Sequence, residues 1–547
     1  MLKATVQVDD ARLRVTAQVV DLHGAELIHS FIAECDARDV LELEDDIAQR
    51  TARALRVERE ARAALRHPDP GTRSVEARVA FERGRARFQR WRADDGDTAV
   101  AHFRRSVALD PTYARAYAWQ ALADYRDAVS YKRESRQTAW QRVLPLFERA
   151  LAIDPNLGEA HAMRAFFDFT RERHITDAEL RRGIALSPDS AESYTLLAQR
   201  LASSDIPAER ERESLEAVDR AIALAPETTR YRYLKALILW RDPTLRSRAI
   251  DLMRSVLESD PDFAPAAAKL GQWTWQELLQ PADAARWSEH ALHIDPDTPW
   301  IRESLCRIYL DMEDAAAARD VVAPAVPEAS SECRTDLALA AGDWRRAAQI
   351  AFNMPGEALF GDRYGAGWMG SLARYARETG DSDRVLALLE TLGKDRKLVA
   401  SQPSGFVEPS FLLIQLDQMR GDRAAADRLL DALWQWLPEF ERMQSTYYER
   451  YPLRAMLLAW SGRNDEALDE LLRWTRRRHS PYWWYVFERD ATWEQSRQDP
   501  RFIEAHQHER DYAAGQRAML DTLRRQGAVP MRGKEEPTRG VARTANR

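Results

Sequence analysis

DTAVAHFRRSVALDPTYARAYAWQAL, residues 97–122, holds two helical patterns joined by Leu109-Asp110-Pro111. The first runs small-x3-aromatic-x2-small (Ala99, Phe103, Ser106), and the second is Ala-rich with Tyr117 and Ala121. The same shape returns as FERALAIDP (Phe147, Ala150, Pro155), RRGIALSP (Leu180, Gly183, Pro188), VDRAIALAP (Val218, Ala221, Pro226), MRSVLESDP (Met253, Pro261) and SEHALHIDP (Ala291, Pro296). Its prolines are 44, 33, 38, 35 and 35 residues apart. Small residues let two helices approach, and the aromatic or aliphatic residue beside them fills the space they leave. Proline lacks an N–H and disfavours helix in the residue before it, so it ends one pair and begins the next. A single pair cannot bury its apolar faces, so neighbours must stack and share a core.

A period near 34 with this pattern resembles the tetratricopeptide repeat, a helix–turn–helix unit. The resemblance implies a mainly α fold, a right-handed superhelix of helix pairs whose concave face is lined by the first helix of each pair. Trp273, Trp275, Tyr194, Tyr231, Tyr233 and Tyr309 fall in such first helices, where this repeat class divides its large residues between core and groove. Trp273 and Trp275 are two apart, so on a helix they face different ways. The groove set expected to meet a protein or peptide ligand is Tyr117, Gln120, Asp124, Tyr194, Trp273, Trp275 and Tyr309.

At 547 residues the chain is too long for one compact core, and an array does not need one. Charged residues make up 31% and glycine is scarce, which suits helix. A net charge of −7 excludes a nucleic-acid footprint spread over the whole chain. Cys35, Cys306 and Cys333 lack metal-site spacing and read as buried small residues of a reducing compartment. Met1-Leu2-Lys3 leads straight into alternating residues with no signal peptide, and no run of about 18 apolar residues occurs. The expectation is a cytoplasmic protein.

Before the repeats, Ala4–Val8 and Leu13–Val20 alternate in the strand period, and Ala25–Ala33 suits a third strand after a turn at Asp21–Gly24. Leu41–Leu55 then places Leu43, Ile47, Ala48, Thr51 and Leu55 on one helical face. Arg14-Val15-Thr16-Ala17-Gln18-Val19-Val20-Asp21, Gly24 and Leu43-Glu44-Asp45-Asp46-Ile47-Ala48 resemble the back half of the TolB-like α/β domain of bacterial regulators. The family's strand tryptophan is replaced near His29. In such proteins the domain precedes a tetratricopeptide array, often with a winged-helix DNA-binding domain of the CadC/OmpR type and sometimes a transmembrane helix upstream, and elsewhere an adenylate cyclase domain. The expected organisation is a partial TolB-like segment over 1–58 and a linker over 59–74 around His67-Pro68-Asp69-Pro70.

Clear repeats are expected over 75–325, beginning with Phe81, Gly84 and Phe88, with inserts at Ser130–Ala139 and Ser203–Arg212. Over 326–480 the marker changes to Gly342-Asp343, Gly380-Asp381, Gly421-Asp422 and Gly462-Arg463, each before an Ala- or Leu-rich helix. Glycine there reads as the residue just past a helix end, giving about four diverged pairs. Tyr482-Trp483-Trp484-Tyr485, Phe487, Trp493 and Asp499-Pro500-Arg501-Phe502 read as a cap over 481–528 that covers the last apolar face. The basic tail, 529–547, reads as disordered.

No phosphate-binding, dinucleotide, zinc-protease or nucleophile-elbow motif occurs, so no enzyme and no cofactor are expected. His290 and His293 with Glu289 lack a third metal ligand, and His506 and His508 diverge on a helix. The run Arg473, Arg476, Arg477, Arg478 and His479 reads as a solvated helix end. The function expected is a noncatalytic scaffold for protein or peptide partners in bacterial signalling or transcription control, without direct DNA binding and with self-association through the N-terminal strands possible. The alternative is the sensor or effector part of a truncated CadC-like regulator, and a third is a regulatory region of the adenylate cyclase kind.

Overall fold

A computed structural model describes residues 1–527 except 10–11, 22–25, 37–39, 66–70, 92, 131–133, 169–172, 203–209, 297, 323–331, 354–365, 392–406, 443–451 and 478. Residues 22–24 of the expected turn, 67–70 of the linker, 131–133 of the first insert and 203–209 of the second, Arg478 and the 529–547 tail lie outside the described residues. The fold is mainly α, a tetratricopeptide-type solenoid of helix pairs behind a small α/β segment, in two compact units, Met1–Leu239 and Trp240–Arg547.

In the first unit, β1 (Leu2–Asp9), β2 (Arg12–Asp21) and β3 (Glu26–Asp36) form an antiparallel sheet in that order. Val15 and Ala33 pack with Leu43, and Ala17, Val19 and Phe31 with Ala54, under helix α1 (Val40–Ala64). The buried stripe therefore passes through Ala54, and Leu55 is exposed. Helix α1 also continues past the expected linker start, because buried Glu58 accepts from Arg83 Nε at 2.7 Å and anchors it to the first pair. Register places Leu2, Ala4 and Val6 opposite Val19, Ala17 and Val15, so they share the apolar face, yet Leu2 and Val6 remain 44% and 57% exposed.

The pairs follow: α2 (Val75–Arg90) with α3 (Ala93–Leu109), α4 (Ala114–Ser130) with α5 (Arg136–Ile153), α6 (Gly158–Phe167) with α7 (Arg173–Leu186), and α8 (Ala191–Leu201) with α9 (Glu211–Leu224). The unit ends with α10 (Thr229–Leu239). Phe81, Phe103, Tyr113 and Trp119 meet with ring centroids 5.1–6.2 Å apart. Ser106, fully buried, donates to the Ala77 carbonyl at 2.7 Å, so its smallness brings α3 onto α2 and its hydroxyl is satisfied there. Between pairs, Asp110 accepts from the Thr112 N–H at 2.9 Å, an Asx turn beside the helix-stopping proline.

The second unit opens with α11 (Arg246–Ser259) and continues as α12 (Ala264–Gln276) with α13 (Pro281–Ile294), α14 (Pro299–Asp311) with α15 (Ala315–Val322), and α16 (Glu332–Ala340) with α17 (Trp344–Asn353). Then come α18 (Ala366–Thr379) with α19 (Ser382–Thr391), α20 (Val407–Met419) with α21 (Arg423–Arg442), and α22 (Leu453–Trp460) with α23 (Asn464–Arg477). A short helix α24 (Trp483–Glu488) and the 26-residue α25 (Pro500–Arg525) close the order. The later glycines mark the turn inside each pair. Gly342 holds φ +81° with no atom near its missing side chain, so left-handed backbone and not space demands it. The Asp343 N–H reaches back to the Ala338 carbonyl at 2.8 Å, and the Asp343 carboxylate accepts from the Arg346 N–H at 3.0 Å to start α17.

The cysteine reading needs correction. Cys306 and Cys333, both fully buried, are joined as a disulfide between α14 and α16, with Cα atoms 6.3 Å apart. A separation of 27 residues returns the chain to the neighbouring first helix, a proximity that metal-site spacing rules do not detect.

Candidate functional site

In the first unit the inner helices carry a connected polar layer. Buried Glu159 of α6 accepts from Arg115 of α4 (Nε 2.6 Å, Nη2 2.9 Å), from Trp119 Nε1 (3.0 Å) and from Ser190 Oγ (3.1 Å). Burial pushes its carboxyl up, but Arg115, the Trp119 donor and the Arg85 charge outweigh it and hold the group at about 2. Arg230 of α10 is bonded to Glu192 of α8 and donates to Gln89 Oε1 of α2 at 2.7 Å. Its guanidinium also stands 5.3 Å from the Phe88 ring and 5.8 Å from Trp91, while Trp91 meets Tyr233 edge-on at 5.7 Å. The first and last inner helices of this unit therefore touch. Trp91 adopts φ +53° at that junction.

The expected groove residues of this unit take different places. Asp124 is held between Arg142 of α5 (3.0 Å) and Arg104 of α3 (3.6 Å), the second helices on either side of it. Gln120 is buried, and Tyr117 and Tyr194 are half-buried. Arg115, Glu159, Glu192 and Arg230, absent from the expected set, form the polar layer. Their pairing crosses 38 to 44 residues of sequence and leaves no local signal.

In the second unit the inner helices meet the chain's own C-terminal segment. Trp273 stacks on Trp240 at 4.0 Å with rings 5° from parallel, while Trp275 points elsewhere and donates from Nε1 to Asp311 Oδ2 at 2.5 Å. Asp311 Oδ1 accepts the Tyr482 N–H at 2.8 Å, and its carbonyl accepts Trp483 Nε1 at 2.9 Å. Burial pushes the Asp311 carboxyl up to about 8 against the Trp275 and Tyr482 donors, with Asp336 and Glu509 nearby adding to the rise. Arg489 donates to the Leu339 (2.9 Å) and Ala340 (2.6 Å) carbonyls that end α16. Tyr485 lies against Gly370 of α18, where a methyl group would overlap its phenol. Farther along, Trp460 Nε1 of α22 donates to Thr492 at 3.0 Å. The aromatic segment expected to cap the final pair therefore runs along the inner helices α14, α16, α18 and α22, buried at Tyr482, Trp483, Trp484, Tyr485 and Phe487. Composition shows that aromatics must be covered; it does not say by which surface.

Helix α25 then returns from the last pair of this unit toward its beginning. Arg501 bonds to Asp465 and Asp469 of α23 at 2.9 Å each. At the far end the Tyr512 hydroxyl donates to the Leu279 carbonyl (2.5 Å), and Gln516 Oε1 accepts the Ala282 N–H (3.1 Å). Arg517 donates to the Glu313 carbonyl (3.1 Å), Arg510 to its carboxylate (3.1 Å), and Arg524 to Glu289 (2.6 Å). Glu289 also accepts the Tyr309 hydroxyl at 2.5 Å, so Tyr309 and Trp275 of the expected groove both lie under this segment. The basic run that closes α23 ends against α25 as well: His479 stacks on Tyr512 at 3.4 Å and faces Glu509 at 3.3 Å. His506 and His508 do diverge, toward Phe487 and His479 respectively.

Among the described residues no group of three or more metal-ligating side chains occurs, and His290 faces the Pro261 carbonyl at 3.3 Å. Among them no helix is long and apolar enough to cross a membrane.

No protein-family model and no curated protein sequence matches this chain. Similar solved structures include PilF of Pseudomonas aeruginosa, 18% identical over 39% of this chain and 89% of that one, TM-score 0.29. YrrB, a tetratricopeptide protein with an unusual peptide-binding site, is 19% identical over 36% of this chain and 93% of its own, TM-score 0.23. Human IFIT1, as a dimer with m7Gppp-AAAA, is 15% identical over 71% of this chain and 87% of its own, TM-score 0.38. The helix-pair assignment rests on the geometry above.

Proposed function

We propose that the chain is a noncatalytic scaffold whose inner helices bind a protein or peptide segment. One observation supports this above the rest: in the second unit those helices already hold a short aromatic segment of the same chain. They do so through a buried carboxylate, helix-end carbonyls and a glycine cleft, the means by which a groove recognises a peptide. The test is cross-linking by the tagged full chain at its native locus. Cross-links from one partner should converge on inner helices such as α4, α6, α8, α12, α14 or α18. Scattered links on the second helices, or sequence-selective binding of duplex DNA at ~150 mM salt, overturn the reading.

The setting we propose is bacterial signalling or transcription control, on the resemblance of residues 12–55 to the TolB-like domain. The sheet supports it, since its apolar face continues past α1 onto exposed Leu2 and Val6, and among the described residues β1 pairs only with β2. Such an edge takes a further strand, from a larger regulator or from a second copy. The natural product's mass decides: a tagged band tens of kilodaltons above 62.7 kDa supports the larger regulator, and a band at that mass with a dimeric elution volume supports self-association.

A further inference from the structure

The two halves of α25 are fastened differently. Its first half is tied into the aromatic core: Phe502 lies 5.2 Å from Phe487, and Phe502 and Ala505 are buried. Its second half, from Arg510 to Arg524, is held chiefly by side-chain donors on a turn-rich acidic surface, with only Ala513 and Leu520 buried. That surface consists of the Leu279 and Glu313 carbonyls, the Glu313 and Glu289 carboxylates and the Ala282 N–H. Leu279 and Glu313 both adopt left-handed backbone, φ +56° each, and both aim their carbonyls at α25. Such geometry is disfavoured for residues with side chains and persists where surrounding contacts enforce it. With Tyr482 at φ +63°, three of the four non-glycine left-handed residues described in the chain sit where this segment meets the repeats. Polar contacts at a half-exposed rim (Arg510 is 50% exposed) trade readily with water, whereas the aromatic half does not.

We infer that the α12–α14 edge, with Glu289, Tyr309, Glu313 and the Leu279 carbonyl, is a docking site for an arginine-bearing helix, that residues 510–525 are its resident occupant, and that the scaffold's partner presents a helix of the same chemistry in exchange for it. The inference rests on the scaffold reading and names the class of partner. The resident helix shows the required spacing: arginines at 510, 517 and 524, seven apart, keep one face toward the two carboxylates. Arg524 reaches deepest, its guanidinium also meeting the Tyr309 hydroxyl at 3.2 Å. A partner helix lacking cations would leave Glu289, which is 3% exposed at its side chain, buried without its countercharge.

The experiment uses the full chain and a tagged synthetic peptide of residues 499–527. In the chain carrying Arg510→Glu, Arg517→Glu and Arg524→Glu the resident occupant is repelled and the site is unaltered, so the peptide should bind at least about tenfold more tightly than to the wild type. Adding Glu289→Gln and Glu313→Gln to that variant should remove the gain. Equal binding to wild type and variant, or none to either, overturns the inference. Should the variant fail to fold, hydrogen exchange of the wild type with excess tagged peptide decides the matter. Uptake in the chain's own 510–525 must rise while α23 stays protected, and unchanged uptake overturns the inference. A failure here leaves the scaffold reading to its cross-linking test.

Discussion

Gly370 sits inside α18, where alanine ordinarily stabilises a helix by about 0.5–1 kcal/mol over glycine. Here the added methyl overlaps the Tyr485 phenol, so Gly370→Ala is expected to destabilise the second unit instead, and Tyr485→Ala in the same chain should recover part of the loss. Chemical denaturation of the wild type and the two variants checks the sign. Gly342→Ala is a different case, with open space but φ +81°, and should cost about 1 kcal/mol without moving the aromatic segment. The repeated Gly-Asp pairs were legible because backbone demands of this kind are local. Nothing local marks Gly370, Asp311 or Glu289, whose contacts come from 115, 171 and 235 residues away.

Helix pairs were legible as elements because their marks recur along the chain: the small residue that packs as Ser106 under Ala77 returns as Ala150, Gly183, Ala221 and Ala291, and the Asx turn at Asp110 closes within two residues. The C-terminal segment was legible only as something that must be covered. Its destination depends on Tyr482 finding Asp311 and Arg489 finding the end of α16, and periodicity does not encode either contact. The Cys306–Cys333 bond belongs to this scale, because it ties two successive inner helices beneath the aromatic segment. Closing a 27-residue loop should add about 3 kcal/mol by restricting the unfolded chain. Titration of the denatured, unreduced chain should find one thiol, Cys35, and three thiols would show that the pair is a packing contact alone.

At the scale of the molecule, the two units should respond to pH in opposite directions. In the first, Glu159 is held at about 2 against an ordinary 4.5, so its contribution is present above 4.5 and lost as pH falls toward 2. In the second, burial raises Asp311 to about 8 from an ordinary 3.8, and raises Glu509 and Asp490 as well. The folded unit binds the extra protons, so the Asp311 contribution is full below 3.8 and declines as pH rises toward 8, by about 1.4 kcal/mol per pH unit, and Glu509 and Asp490 act in the same direction. Hydrogen exchange resolved by unit between pH 4 and 8 should show the second unit loosening and the first unchanged. In the second unit the inner face is occupied by the chain itself. The Tyr482 amide tests it most directly, because that N–H lies at the start of α24 and its bond to Asp311 comes from 171 residues away. The Tyr482 amide should be protected in the wild type and lose that protection in Asp311→Ala. Exchange at the free-peptide rate in the wild type would contradict it.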